Sequence, residues 1–172
     1  DPRYFEKTQL LEKIPYQEAI ELAFYGASVI HPKTLQPLQE KEIPLNVRSF
    51  IEPNEKGSSV CKIEELVPKI PCFILKQNQH LLSLSSLDFS FIGENNISYI
   101  FNILSEYKIK VSLMQNSAIS FSLCIEDKFN NLALLLEKLR EKFHTECIEN
   151  VKLYTIRHAD NKAVEQIEKG QN

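Results

Sequence analysis

Residues 81–149 carry strand-like and helix-like hydrophobic patterns in an order that few folds can accommodate. In 118–125 every second residue is apolar, which predicts a strand with one buried face: Ile119, Phe121, Leu123 and Ile125. Apolar residues recur at three- and four-residue spacing in 97–104 and again in 132–143, which predicts two amphipathic helices. Further strands are predicted at 81–86, 109–113 and 147–148. The resulting order of strand, helix, strand, strand, helix, strand is typical of an α+β fold in which two helices cover one face of an antiparallel sheet.

The segments on either side of this pattern differ from it. Residues 16–27 and 32–41 are predicted helices, each with a proline at its start, and a turn-rich stretch marks a boundary near residue 60. Residues 76–79 are predicted to form a hairpin turn, and 151–156 a strand of its own. We therefore expect four parts: 1–60, a linker and lead-in strand at 61–80, a complete βαββαβ domain at 81–150, and the incomplete start of a second repeat at 151–172.

Composition argues against several classes of protein. The net charge is −3, the pI is near 5.9 and the basic residues are scattered, so a nucleic-acid-binding surface is not expected. No run of 18 apolar residues is present, and no charged-then-apolar leader opens the chain. We therefore expect no membrane partner and a cytoplasmic location. The four cysteines are irregularly spaced, which favours reduced thiols over a disulfide framework or a zinc site.

The residues do not assemble into a complete active site. The four glycines lie far apart, which excludes a glycine-rich phosphate loop, and no Gly-x-Ser-x-Gly nucleophile motif occurs. None of the four histidines has the spacing of a metal ligand, and His31, just before Pro32, is expected to make a structural hydrogen bond. A free-standing enzyme of another kind is therefore the least favoured hypothesis, and no metal site is expected.

Two polar corners of the predicted sheet remain as a candidate ligand site. One is the turn at 85–96 before the first helix, and the other is the corner at 114–117. A helix start offers free backbone N–H groups that could hold a carboxylate, and the amide and hydroxyl side chains nearby could hold other polar groups. A small amino acid would suit such a site. The alternative is that these residues serve only as turns and caps.

Several segments resemble one enzyme family. Residues 21–34 read E-L-A-F-Y-G-A-S-V-I-H-P-K-T, and this resembles the end of the catalytic domain of aspartate kinases, E-[LM]-A-x-[FY]-G-A-x-V-[LI]-H-P-x-T. Residues 43–49 and Gly57-Ser58 are similar to the closing strand and loop of that domain, and Asp1-Pro2-Arg3 resembles its T-D-P-R segment. Residues 109–121 resemble a strand pair of the regulatory ACT domain of the same enzymes. The resemblance covers nearly the whole chain.

The resemblance implies a parent enzyme that uses ATP, with magnesium, to phosphorylate the β-carboxylate of L-aspartate, the first step toward lysine, threonine and methionine. It implies that 1–60 is the C-terminal remnant of the catalytic domain and that 81–150 is a ferredoxin-like ACT domain. Arg3 would contact the nucleotide, whereas Ser28 stands where the family has a lysine, and a hydroxyl cannot replace that positive charge. The other catalytic residues of the family lie upstream, so the fragment alone is expected to be inactive and to bind no cofactor.

The resemblance also implies an effector site for an end-product amino acid, usually lysine and less often threonine. Its residues would come from the loop, the helix start and the next strand pair: Ser90, Gly93, Asn96, Ile97, Lys110, Val111, Ser112, Gln115, Asn116, Ser117 and Ala118. Ser112 and Ala118 stand at positions that are acidic in well-known members. Three consequences remain open: weaker lysine binding, a different effector, or compensation by Gln115 and Asn116.

The family's ACT domains pair, so the resemblance implies a homodimer. We expect its contacts to come from helix pairing through 132–143 and from edge-strand pairing through 118–125. The expected function is thus that of a regulatory fragment that binds an effector and dimerises for feedback inhibition. The alternative is a structural dimerisation module whose effector site has degenerated.

Overall fold

The computed structural model describes residues 4–5, 8–27, 30–88 and 90–169. These residues form seven strands and five helices, in chain order β1 (Lys13–Pro15), α1 (Tyr16–Tyr25), α2 (Pro32–Glu40), β2 (Leu45–Val47), β3 (Ser58–Cys61), β4 (Cys72–Ser86), α3 (Glu94–Glu106), β5 (Lys110–Asn116), β6 (Ser120–Glu126), α4 (Leu132–Arg140), β7 (Phe143–Arg157) and α5 (Asn161–Lys169). In this described part of the chain, none of the helices combines the length and the apolar composition of a membrane span.

The chain divides into two compact units. The first unit contains Asp1–Leu75 and Tyr154–Asn172, and the second contains Lys76–Leu153. The boundaries of the second unit lie a few residues outside the predicted 81–150. The end of β7 and α5 cluster with the first unit. This clustering does not test the assignment of 151–172 to a second repeat, which stays a prediction.

The first unit packs its helices against a small three-stranded sheet. The strand order is β1-β3-β2, with β1 parallel and β2 antiparallel to β3. Its core joins the two helices to β3 through four buried residues, Tyr16, Ala19, Leu35 and Val60. Both helices lie where the hydrophobic spacing predicts them.

Local sequence explains where these two helices begin and end. Pro15 precedes α1, where a missing N–H costs nothing, and Gly26 ends that helix with φ 126°, a backbone conformation that suits glycine. At the start of α2, the N–H of Lys33 donates to Nδ1 of His31 at 3.2 Å. The predicted structural role of His31 is therefore confirmed.

A buried ionic cluster holds the end of β7 against α1 within the first unit. The Arg157 guanidinium donates to both carboxylate oxygens of Glu18, at 3.0 and 2.7 Å, and to Glu21 at 3.2 Å. His158 Nε2 lies 3.1 Å from Glu18. The Glu18 side chain is only 8% exposed. Burial raises the pKa of Glu18, but the hydrogen bonds and charge of Arg157 outweigh it and leave the pKa lowered.

The second unit has the predicted α+β architecture. Its antiparallel sheet has the order β5-β6-β4-β7, with registers from His80↔Ile125 to Ser85↔Ser120 and from Lys110↔Glu126 to Asn116↔Phe121. Alternate residues of β4 and β6 point to one face, where α3 and α4 cover them. The fully buried residues of this core are Leu82, Ile100, Leu123, Ile125, Leu135 and Leu139, and Leu84, Leu104 and Phe121 lie with them.

One predicted turn and one predicted division between strands are wrong. The chain does not reverse at 76–79, because β4 runs without interruption from Cys72 to Ser86. Nor are 147–148 and 151–156 separate strands, since β7 is continuous from Phe143 to Arg157. In each strand one asparagine, Asn78 (φ 53°) or Asn150 (φ 57°), takes a left-handed backbone conformation. A single left-handed residue bends a strand locally without reversing it, and asparagine tolerates that conformation.

The expected pairing through 118–125 is also wrong in its premise. This segment forms β6, which lies between β5 and β4 and has no free edge. The free edges of the sheet belong to β5 and β7. The second predicted helix, 132–143, ends at Arg140. Phe143, which is 3% exposed, instead begins β7.

Candidate effector site

The loop that leads from β4 to α3 is organised by Ser86. Its buried hydroxyl accepts hydrogen bonds from the N–H groups of Asp88, at 3.3 Å, and Ser90, at 3.0 Å. The same hydroxyl donates to the Asp88 carboxylate, which also accepts from the Ser90 N–H at 3.1 Å. The Ser86 and Ser90 hydroxyls and the Ser90 N–H hold the pKa of Asp88 far below its usual range. This loop therefore keeps a carboxylate ionised beside the predicted ligand residue Ser90.

The start of α3 presents backbone donors to open space. Gly93 occupies the N-cap position without a capping side chain, and a β-carbon placed there would meet no atom within 4 Å. Glu94 follows in the first turn, where a negative charge complements the helix dipole. Asn96 donates to Phe91 O at 3.5 Å, and Ile97 is half-buried against the core. Of the predicted ligand residues on this helix, Ile97 is thus a packing residue.

The turn between β5 and β6 is tied to this loop by one backbone bond. The Ile92 N–H donates to the carbonyl of Ala118 at 3.0 Å. The turn itself is closed by Ser117 and Ser120, whose hydroxyls lie 2.7 Å apart and whose backbones bond at 2.8 Å. The structure therefore brings the segment around Gly93 together with Ser117 and Ala118, as the resemblance implies.

Ser112 lies at an irregularity in β5. The register jumps from Val111↔Ile125 to Leu113↔Cys124, which leaves Ser112 as the extra residue of a β-bulge. Ser112 is 9% exposed, and its Oγ is one of two buried side-chain polar atoms in the described chain that have no hydrogen-bond partner. A buried hydroxyl without a partner is costly, so such a group is expected to meet a polar atom of a ligand or a partner.

The remaining predicted residues spread along β5. Val111 packs against the core, whereas Gln115 and Asn116 are exposed and lie near the turn. Lys110 is exposed at the opposite end of the strand, opposite Glu126. Six residues of extended chain lie between Lys110 and Ser117, which places the two about 20 Å apart. Within one chain, Lys110 and Ser117 therefore cannot contact the same small ligand.

Two further predictions cannot be placed. Arg3 and Ser28, the predicted nucleotide contacts, lie outside the described residues. In the described ranges no three His, Cys, Asp or Glu side chains are grouped so that they could hold a metal ion. Sequence reasoning missed Asp88 and Ser86, although the spacing of a serine, an aspartate and a second serine at 86, 88 and 90 is a common signature of side-chain-closed turns.

Comparison with known proteins agrees with this architecture. The model of the amino acid kinase family matches residues 1–49. Lysine-sensitive aspartokinase 3 of Escherichia coli is 34% identical over 126 residues, and the match covers 73% of this chain and 28% of that protein. Chloroplastic aspartokinase 1 of Arabidopsis thaliana is 29% identical over 128 residues, covering 73% of this chain and 22% of that protein. The chain thus spans about a quarter of the length of these relatives.

Solved structures extend the match to nearly every residue. The structure of E. coli aspartokinase III in complex with lysine and aspartate superposes with a TM-score of 0.77 and 28% identity, over 98% of this chain and 40% of that chain. Clostridium acetobutylicum aspartate kinase has the same fold, with a TM-score of 0.77 over 91% of this chain. A segment that matches the kinase family precedes a unit with the fold of the regulatory region. This chain therefore belongs to the aspartokinase family and contains the regulatory region of its members.

Proposed function

We propose that the chain is the regulatory part of a cytoplasmic aspartate kinase, which transfers a phosphoryl group from ATP, with magnesium, to the β-carboxylate of L-aspartate. An E. coli relative of 30% identity has been solved with aspartate and ADP, which supports the use of ATP by the parent enzyme. The chain itself lacks a catalytic set of residues, so we expect it to be inactive alone. Its own task is to bind an effector amino acid, with lysine favoured over threonine.

The observation that carries this proposal is the backbone bond from Ile92 to Ala118. It joins the open N-terminus of α3 to the polar turn that contains Ser117, within a unit similar to that of a lysine-bound relative. The helix N-terminus suits the carboxylate of an amino acid. Asp88 is the carboxylate in the same loop, and its low pKa keeps it available for an ammonium group at every physiological pH.

A second copy of the chain would complete the site. β5 is a free edge of the sheet, and its apolar side chains Leu113 and Met114 are 52% and 60% exposed. Antiparallel pairing of two β5 strands about Met114 would place Ser112 of one copy opposite Asn116 of the other, and Lys110 opposite Ala118. Residues that one chain holds about 20 Å apart would then meet. We therefore expect a homodimer through β5.

Calorimetric titration with lysine and with threonine tests the effector. We expect a saturable heat with lysine and a weaker one or none with threonine, in a sample that is dimeric by sedimentation. No heat with either amino acid in a dimeric sample would contradict the effector site. It would instead support the structural dimerisation module. The neutral residues at 112 and 118 favour that alternative.

Restored acids give a sharper test of that alternative. Ser112→Asp or Ala118→Glu adds a carboxylate to the proposed ammonium site, where a charge-assisted hydrogen bond contributes about 1.5–3 kcal/mol. We expect lysine to bind at least about ten-fold more tightly. Ser98→Asp adds the same charge on the exposed face of α3 and should leave the affinity unchanged. Equal affinities in all three variants would favour a degenerate site.

The dimer contact is tested by charge on the edge strand. Met114→Lys places a charge on β5, and such charges block strand pairing. We expect this variant to be monomeric and to lose lysine binding. Leu134→Lys, at a residue of α4 that is 54% exposed, should remain dimeric. If Leu134→Lys is the variant that dissociates, the helices form the dimer contact and the β5 proposal fails.

A further inference from the structure

The second unit contains a cavity that the proposed effector site does not use. Its volume is about 690 Å³, within the usual range for small-molecule sites. The middle of β4, the turn after β6, α4 and the middle of β7 form its walls. β4 and β6 are antiparallel, with His80 opposite Ile125 and Ser85 opposite Ser120. The cavity, beside His80, and the effector loop, beyond Ser85, therefore lie at opposite ends of this strand pair.

The second buried polar atom without a partner lies at this cavity. Among the described residues only His80 Nδ1 and Ser112 Oγ are buried side-chain polar atoms that lack a hydrogen bond. Ser112 belongs to the proposed effector site, and His80 lines the cavity. Native proteins satisfy nearly all buried polar groups, and the exceptions need an explanation. A polar ligand that hydrogen-bonds to the His80 ring, or reorients it, would explain this unpaired atom.

Three asparagines with left-handed backbone line the same cavity, one each from β4, the turn after β6, and β7. They are Asn78 (φ 53°), Asn130 (φ 57°) and Asn150 (φ 57°). Residues in sparsely populated backbone conformations cluster at binding sites. Each amide side chain carries both donors and an acceptor, so the three together can meet an anionic and a cationic group of one ligand.

Two opposite charges complete the lining. Arg140 and Glu149 make no ion pair or hydrogen bond within the described ranges, and both are exposed. Both nevertheless line the same cavity, Arg140 from the end of α4 and Glu149 from the middle of β7, so one ligand bound there can contact both. Asp127 is not free in this way, since it caps α4 through the N–H of Leu132 at 2.8 Å.

We infer that this cavity is a second amino-acid site, which takes a free α-amino acid with an aliphatic side chain. Arg140 binds the carboxylate and Glu149 the ammonium group, because the two groups of an α-amino acid share one carbon and so need neighbouring opposite charges. The apolar wall formed by Leu132 and Leu136, each 8% exposed, contacts the side chain. The site is independent of the effector site and of the dimer.

Titration of the isotope-labelled chain with L-leucine, followed by ¹H–¹⁵N NMR, tests this inference. We expect saturable shifts of the side-chain amides of Asn78 and Asn150 and no shift at Ser117. Isopentylamine and 4-methylpentanoate, which each lack one charged group of leucine, should bind at least about ten-fold more weakly. Shifts that do not saturate, or analogues that bind as tightly as leucine, would overturn the inference.

Matched variants locate the binding. Arg140→Gln and Glu149→Gln each remove one charge from an exposed residue, so both should fold, and each should weaken leucine binding at least about ten-fold. Ala133→Phe, which fills the cavity from α4 and keeps both charges, should abolish it. Glu137→Gln removes a negative charge, as Glu149→Gln does, but from an exposed residue of α4 outside the cavity lining. This variant should bind leucine normally. Normal binding by the first three variants would refute the assignment.

Discussion

Replacing Arg157 by alanine removes the cation that keeps the buried Glu18 carboxylate ionised. Arg157 donates two hydrogen bonds to Glu18, one to each carboxylate oxygen, at 3.0 and 2.7 Å, and a third to Glu21. The Glu18 side chain is 8% exposed and the Arg157 side chain 26%. The variant therefore leaves the Glu18 carboxylate buried without the guanidinium, with His158 Nε2 still 3.1 Å away.

The expected loss follows from this burial. Removal of one partner of a buried ion pair costs about 3–5 kcal/mol, because the other charge stays buried without compensation. Solvent reaches a quarter of the Arg157 side chain, so we place the loss of unfolding free energy at the lower end, about 3 kcal/mol. For a chain of this size that loss lowers the Tm by about 6–12 °C. Arg157→Lys keeps the positive charge but cannot form the bidentate hydrogen bonds to Glu18, so we expect a smaller loss of unfolding free energy.

Thermal and urea unfolding of the chain measure this loss. Lys69→Ala is the matched control, since Lys69 and Glu65 form a pair of similar length, 2.8 Å, with both side chains about two-thirds exposed. It should leave the Tm unchanged. In the double variant Arg157→Ala/Glu18→Gln the buried charge is gone, so part of the stability should return. A single Arg157→Ala variant as stable as Lys69→Ala would refute the reasoning.

The pH dependence gives an independent check on Glu18. Its pKa is lowered in the folded chain, so its contribution is present above the unfolded value, about 4.3, and is lost as pH falls through the folded value. In Arg157→Ala the Glu18 carboxyl stays buried but loses the guanidinium, so its pKa should rise. In the variant the ionised Glu18 is instead destabilising and becomes less so as it is protonated. The difference in unfolding free energy between the wild-type chain and the variant should therefore shrink as pH falls below about 4.3. Parallel stability curves between pH 3 and 7 would contradict this account.

Two further pairs of substitutions, each a test and its control, probe packing. In the first unit, a β-carbon at Gly57 would lie 2.1 Å from the carbonyl oxygen of Val47, so Gly57→Ala should cost at least about 1–3 kcal/mol in urea unfolding. Its control, Gly93→Ala in the second unit, adds a β-carbon that meets no atom within 4 Å and should be tolerated. In the second unit, Leu135 is fully buried and Leu134 is 54% exposed. Leu135→Ala should cost about 2–5 kcal/mol, and Leu134→Ala should be close to neutral by the same measurement.

Hydrophobic periodicity was sufficient to predict the elements of the second unit but not their interruptions. The apolar spacing of α3 and α4 and the alternation in β6 reflect burial on one face, which periodicity reports directly. The turn predicted at 76–79 failed because a run of polar residues signals exposure and not reversal of the chain. Asn78 there permits a local bend, and a bend and a turn have similar compositions.

Local sequence patterns also predicted part of the candidate site, whereas contacts between residues distant in sequence were not predicted. The polar corners near Gly93 and Ser117 were predicted from local composition, and the structure joins them. The ionic cluster was not predicted, because 139 residues separate Glu18 from Arg157 and no local pattern links them. The bulge that buries Ser112 was missed as well, since it depends on the register between β5 and β6.

The order of strands in the sheet decides what a second copy of the chain can contact. Periodicity predicts that 118–125 is a strand, but it carries no information on which strands lie beside it. The structure encloses β6 between β5 and β4 and leaves β5 at the edge. The unpaired backbone groups of an edge strand favour pairing with a second strand, and β5 also contains the predicted effector residues that one chain holds too far apart. A dimer through β5 would therefore pair the free backbone groups of the edge strand and also assemble the effector site. Loss of strand pairing and loss of lysine binding should then occur together.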